Sequence, residues 1–137
     1  MSVFYHSESI ELPNINQERI TAWIKEIAAK YDRSVGSVNY IFCSDEVILK
    51  VNREFLQHDY YTDIITFDYS TSESISGDIY ISLETVETNA HKYNNNFMEE
   101  LHRVIIHGIL HLCGVNDKSA EEEQTMRAAE DDALAQL

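Results

Sequence analysis

The segment from Phe97 to Cys113 constrains this chain more than any other. On a helix that advances about 100° per residue, Phe97, Leu101, Val104, Ile105, Gly108 and Leu112 fall in one core-facing stripe. A helix this apolar needs a surface to cover, and the rest of the chain supplies short segments suited to a sheet. Residues 3–8 read as a strand, and Val38, Tyr40 and Phe42 alternate with small or polar residues. Ile64-Ile65-Thr66-Phe67 and Asp78-Ile79-Tyr80-Ile81-Ser82 are β-rich runs. Helical spacing appears after Asn16 at Ile20, Trp23, Ile24, Ile27, Ala28 and Tyr31. It recurs at Val47, Ile48, Val51 and Phe55, behind a cap at Ser44 or Asp45. Residues 32–36 read as a turn, and 69–77, rich in Ser, Thr and Gly, as a loop. A polar helix over 83–93 is broken by Asn94-Asn95-Asn96, and an acidic helix runs from about Ala120 to the end. Strands and helices in this order predict an α/β (α+β) fold, one small sheet covered by helices, in a single domain over residues 1–137. Strand order does not follow from the pattern.

Length and charge bound the function. A chain of 137 residues can bury its own core without disulfide or metal staples. No apolar run approaches the roughly 18 to 20 residues of a bilayer span. The start, MSVFYHSESIELPN, lacks the basic and apolar regions of a secretory signal. Cys43 and Cys113 therefore read as free thiols in a reducing cytoplasm, with no membrane partner. The formal charge is −14, from 24 acidic and 10 basic residues, and no basic run occurs. That argues against tight nonspecific binding to nucleic acid. A polyanionic substrate would need a bound cation, a local patch or a partner protein to overcome this field.

The chemistry concentrates where the apolar helix ends. His107 and His111, four residues apart, lie about 40° from each other at the border of the stripe. Two imidazoles one turn apart can converge on one metal ion. His102, five residues before His107, faces elsewhere. Gly114 is placed to end the helix in a left-handed conformation, so that the chain turns back and delivers Asp117, giving H-x3-H-x5-D. Two His and one carboxylate leave an open position, as a catalytic zinc requires, and activate water near neutral pH. A lone HxxxH is often structural; the apolar helix, the glycine and the carboxylate just beyond it favour the metal. Asp117 competes for its role with Asn116, and capping of the last helix is its other use. Zinc peptidases of the HExxH type carry a Glu directly after the first His; here that position is Gly108.

The stretch His107-Gly108-Ile109-Leu110-His111-Leu112-Cys113-Gly114 closely resembles the HGxLHLxG signature of the YbeY family of bacterial rRNA maturation factors. Val51-Asn52, Asp59 and Thr62-Asp63-Ile64-Ile65-Thr66-Phe67 look like that family's LN…D…TDVLSF block, and Gly77-Asp78-Ile79 like its GDI strand. The similarity runs from about residue 35 to the end, with three blocks in the right order. It implies a single-strand-specific endoribonuclease acting in 16S rRNA 3′-end maturation and ribosome quality control, with one Zn2+ in a three-residue site. The implied partners are ribosomal RNA and the small ribosomal subunit with its proteins. The implied fold is a small mixed sheet packed against helices, with the metal helix beside a cleft.

Two positions depart from the family. Asp117 stands where the family usually has a third His, which makes the site more anionic. Leu56 stands where the family commonly has an Arg, a residue suited to a scissile phosphate. His58 is the candidate catalytic replacement, and Arg53 a weaker one on the solvated face of its helix. Asp63 and Thr66 fit a cleft or a plain strand and turn equally well. Asp78 fits pairing within the sheet, Cys113 a small buried residue, and Tyr60 and Tyr61 base stacking or ordinary loop exposure. Two other functions compete with the metal-dependent RNA hydrolase. One is a zinc peptidase of unusual type, and the other a non-catalytic, metal-stabilised ribosome-assembly module.

Overall fold

Alternating apolar residues bring the strands of this chain together as one mixed sheet. A computed structural model describes residues 2–57 and 62–137. Its elements in chain order are β1 (Ser2–Glu8), α1 (Gln17–Lys30), β2 (Ser34–Cys43), α2 (Asp45–Phe55), β3 (Ile64–Asp68), β4 (Ser74–Ser82), α3 (Leu83–Lys92), α4 (Phe97–Leu112) and α5 (Ala120–Leu134). The sheet order is β1-β2-β4-β3. The β1–β2 and β2–β4 pairs are parallel, and β3 runs antiparallel to β4. Helix α1 makes the long crossover that the first parallel pair requires. No helix among the described residues is long and apolar enough to cross a membrane.

Strand β4 is longer than its apolar run suggested. The stretch 69–77, expected as a loop, contributes Ser74–Gly77 to the strand. Ile75, Gly77, Ile79 and Ile81 are buried, while Ser74, Ser76, Asp78 and Tyr80 between them are half-buried. The serines conceal a period of two that continues to the start of the strand. Strand β2 likewise begins at Ser34, inside the expected turn, because Ser34 and Val35 pair with Ser74 and Ile75 ahead of a register shift. Gly77 marks a close approach. A Cβ there would sit 2.4 Å from the Phe67 carbonyl oxygen and 3.1 Å from a Leu112 methyl, so the β3–β4 hairpin and α4 meet on a glycine.

One face of the sheet carries the main core. Tyr40, Phe42, Ile75, Ile79 and Ile81 pack there with Ile20, Trp23, Ile24 and Ile27 of α1 and with α4. A smaller cluster of Cys43, Ile48, Val51 and Ile65 seats α2. Helix α4 is buried more widely than a single stripe, since Ile106, Ile109 and Leu110 are also in the core. Phe97, by contrast, is only half-buried. Helices α1, α3 and α5 and strands β3 and β4 all contact α4, which explains the wider burial. Full burial of such an aliphatic side chain stabilises by about 1.5–3 kcal/mol. Two polar groups inside this core find backbone acceptors: Tyr40 donates to the Ile105 carbonyl at 2.8 Å, and Trp23 to the Ala133 carbonyl at 2.8 Å.

Candidate functional site

Because α4 is covered on most sides, the half-buried His107 and His111 mark the edge it leaves open. His107 and His111 line one cleft of about 470 Å³ with Thr62, Asp63 and Thr66 beside β3, Asn89 and Tyr93 at the end of α3, and Arg127 and Glu130 of α5. Thr66 reaches it because β3 alternates, sending Ile65 and Phe67 to the α2 side.

The turn after α4 brings the acid to the imidazole. Gly114 adopts φ 95°, its N–H reaches the His111 carbonyl at 3.0 Å, and Val115 N–H reaches that of Leu110 at 3.0 Å. This left-handed cap satisfies the last carbonyls and reverses the chain. Asp117 Oδ2 then lies 3.3 Å from His107 Nε2. Of the two other uses open to this segment, neither is taken. Helix α5 is capped by Ser119, in a reciprocal capping box with Glu122, and Asn116 is exposed and does not line the cleft.

The other ring nitrogen of His107 has its own carboxylate. Nδ1 lies 2.7 Å from Oε2 of Glu130, which is only 5% exposed. Arg103 Nη1 donates to Oε1 of the same carboxylate at 2.8 Å, and its Nη2 to Asp131 Oδ1 at 2.7 Å. Burial alone would depress the His107 imidazole. The hydrogen bond and charge of Glu130, with Asp117 and Asp63 adding, outweigh burial and hold it above the ordinary histidine range. Burial raises the Asp63 carboxyl, and the His107 charge only partly offsets this. Asn89 donates to Asp63 at 3.5 Å.

Together these groups could hold a cation. His107 Nε2 and Asp117 Oδ2 converge, and His111 opens onto the same cleft. The remaining nitrogen of His107 is held by a carboxylate, the usual arrangement behind a metal-ligating imidazole. Among the described residues, no three His, Cys, Asp or Glu side chains are already gathered at ligand distance. The His107–Asp117 pair stands in direct contact. The donor set of two nitrogens and one oxygen fits a divalent ion of the zinc type. Position 108 cannot carry a peptidase general base into the cleft, since a Cβ on Gly108 would point at Ile79 and Ile64, at 3.0 and 3.2 Å.

Several other candidates are placed by the structure. His58 lies outside the described residues, as do Asp59, Tyr60 and Tyr61. Leu56 is 40% exposed at the end of α2, and Arg53 is exposed on that helix. His102 faces away from the pair, as its spacing implied, with its ring against Trp23 at 6.3 Å. Burial pushes the Cys113 thiol up to about 11, in keeping with a small buried residue. Asp78 accepts from Asn39 on the neighbouring strand at 3.2 Å. Glu130, Arg103 and Arg127 were not among the sequence candidates. The signal for Glu130 was its place between Met126 and Ala133, a carboxylate on the buried stripe of α5.

Comparison with known proteins agrees with this architecture. The sequence profile of the family described as Endoribonuclease YbeY matches residues 4–137. A Bacteroides fragilis protein named Endoribonuclease YbeY is 58% identical over 135 residues, covering 98% of this chain and 97% of that one. A protein of the same name from Phocaeicola vulgatus is 57% identical over 133 residues, covering 97% and 96%. A solution structure of a Thermotoga maritima protein superposes with a TM-score of 0.65 at 29% identity, covering 98% of this chain and 91% of the other.

Proposed function

The chain belongs to the endoribonuclease YbeY family and is an endoribonuclease; from that premise we propose that it hydrolyses single-stranded RNA with one zinc ion held by His107, His111 and Asp117. The convergence of His107 Nε2 and Asp117 Oδ2 at 3.3 Å in an open cleft carries this reading. A zinc ion bound there supplies Lewis acidity at neutral pH. Arg127 lines the cleft and offers a guanidinium to the RNA backbone, a charge that Leu56 lacks. Tyr93, 53% exposed at the rim, offers a ring to an unstacked base, which favours single strands over duplex.

The substrate in this reading is ribosomal RNA, at the 16S 3′ end in the cytoplasmic small subunit, and the support is the resemblance in three ordered sequence blocks. A chain of formal charge −14 meets a polyanion best where a cation and Arg127 offset its field. Metal content by elemental analysis tests the site, read together with cleavage of a single-stranded and a duplex RNA. About one zinc per chain is expected, lost in His107→Ala and in Asp117→Ala, with single-strand cleavage lost alongside. Metal lost only in His107→Ala removes Asp117 from the ligand set. No metal after reconstitution, with RNA uncut, overturns the hydrolytic reading and leaves an assembly module.

A further inference from the structure

We infer that Glu130 is a positioning residue that fixes the proton of His107 on Nδ1 and so makes Nε2 the metal-facing nitrogen, an inference that rests on the metal reading above. An ionised carboxylate only accepts hydrogen bonds, so at 2.7 Å from Glu130 Oε2 the Nδ1 atom must donate. When the ring gives up its second proton, the one facing Asp117 Oδ2 is lost, and the lone pair falls to Nε2 on the cleft side. Glu130 is nearly removed from water, and a buried carboxylate needs charged or polar partners to stay there. Arg103 supplies them, holding Oε1 while its second nitrogen is anchored on Asp131. The chain of contacts runs Asp131–Arg103–Glu130–His107–Asp117, crossing from α5 to α4, back to α5, back to α4 and out to the turn. Both oxygens of Glu130 are engaged, so its plane, and with it the imidazole, is held from two sides.

A merely structural Glu130 would serve only to neutralise Arg103. Two variants separate these roles. Glu130→Gln removes the charge facing Nδ1, whereas Asp131→Asn weakens the anchoring of Arg103 without touching His107. Zinc affinity is measured for each by competition with a chelator, and the His107 tautomer by nitrogen NMR on metal-free protein at alkaline pH. The expected result is a loss of about 10- to 100-fold in affinity for Glu130→Gln, with one ion still bound at saturation and the fold intact by its amide spectrum. Asp131→Asn keeps wild-type affinity, and wild-type His107 shows its proton on Nδ1. Equal affinity losses in both variants, or a wild-type proton on Nε2, overturn the inference. If Glu130→Gln fails to fold, the wild-type tautomer alone decides. If the wild type binds no zinc, the metal reading falls, and a proton on Nδ1 still establishes the orienting contact.

Discussion

Helices α4 and α5 meet at the cleft but bring opposite kinds of chain to it. Helix α4 is apolar and buried on most sides, and His107 and His111 stand out along its open edge. Helix α5 carries Glu121, Glu122, Glu123, Glu130, Asp131 and Asp132 against Arg127, and buries only Met126, Glu130 and Ala133. In α4 the polar residue is conspicuous because its neighbours are apolar. In α5 the carboxylate that touches His107 is one acid among many. Each helix supplies what the other cannot. The core-anchored helix holds the imidazoles still, and the solvated helix brings the charge that orients one of them.

Two measurements bear on that division, the larger effect first. Ile105 is fully buried on α4, so Ile105→Ala should cost about 2–5 kcal/mol by urea denaturation. Gln124→Ala, on the exposed side of α5, should change stability by less than about 0.5 kcal/mol. A comparable loss from both would erase the contrast. The second concerns charge passed from one helix to the other. Despite burial, Glu130, Asp117 and Asp63 raise His107 above its ordinary value. A group whose folded pKa is raised contributes stability that is fully present below its unfolded value, about 6.5, and lost as pH climbs through the folded one. Metal-free wild type should therefore lose its stability advantage over His107→Ala as pH rises above about 6.5. Asp63, raised by burial, acts in the same direction at lower pH, so the alkaline side isolates His107. A constant difference across that window would mean that the α5 carboxylate does not act on the α4 imidazole.

Much of this was legible in the residues, and the rest was hidden for physical reasons. Periodicity located α1, α2 and α4, because an amphipathic face repeats strongly enough to survive a few polar substitutions, while α3 and α5 were read only as a polar and an acidic helix. Ser44, offered as a cap beside Asp45, and Gly114 were readable as end signals because caps are local chemistry. The first half of β4 was missed because Ser74, Ser76 and Gly77 look like loop, although Ile75 and Gly77 face the core. Strand order was not readable, since the pairing of β2 with β4 joins segments about forty residues apart. At the site, His107, Asp117 and the turn between them could be proposed from spacing alone. Arg103 and Glu130 could not be paired that way, because their contact spans 27 residues and depends on how α5 docks.

The smallest expected effect concerns how α5 is set at the cleft. Ser119 accepts from Glu122 N–H at 3.1 Å, and Glu122 Oε1 accepts from Ser119 N–H at 3.1 Å. Loss of such a cap costs about 1 kcal/mol, so Ser119→Ala should lower the denaturation midpoint modestly. Two residues earlier, Asp117 is oriented by the Gly114 turn at the end of α4. Glu130 lies deep in α5, held by Arg103. Zinc affinity should therefore stay at the wild-type value in Ser119→Ala while stability falls. If affinity falls with it, the start of α5, and not the end of α4, places Asp117.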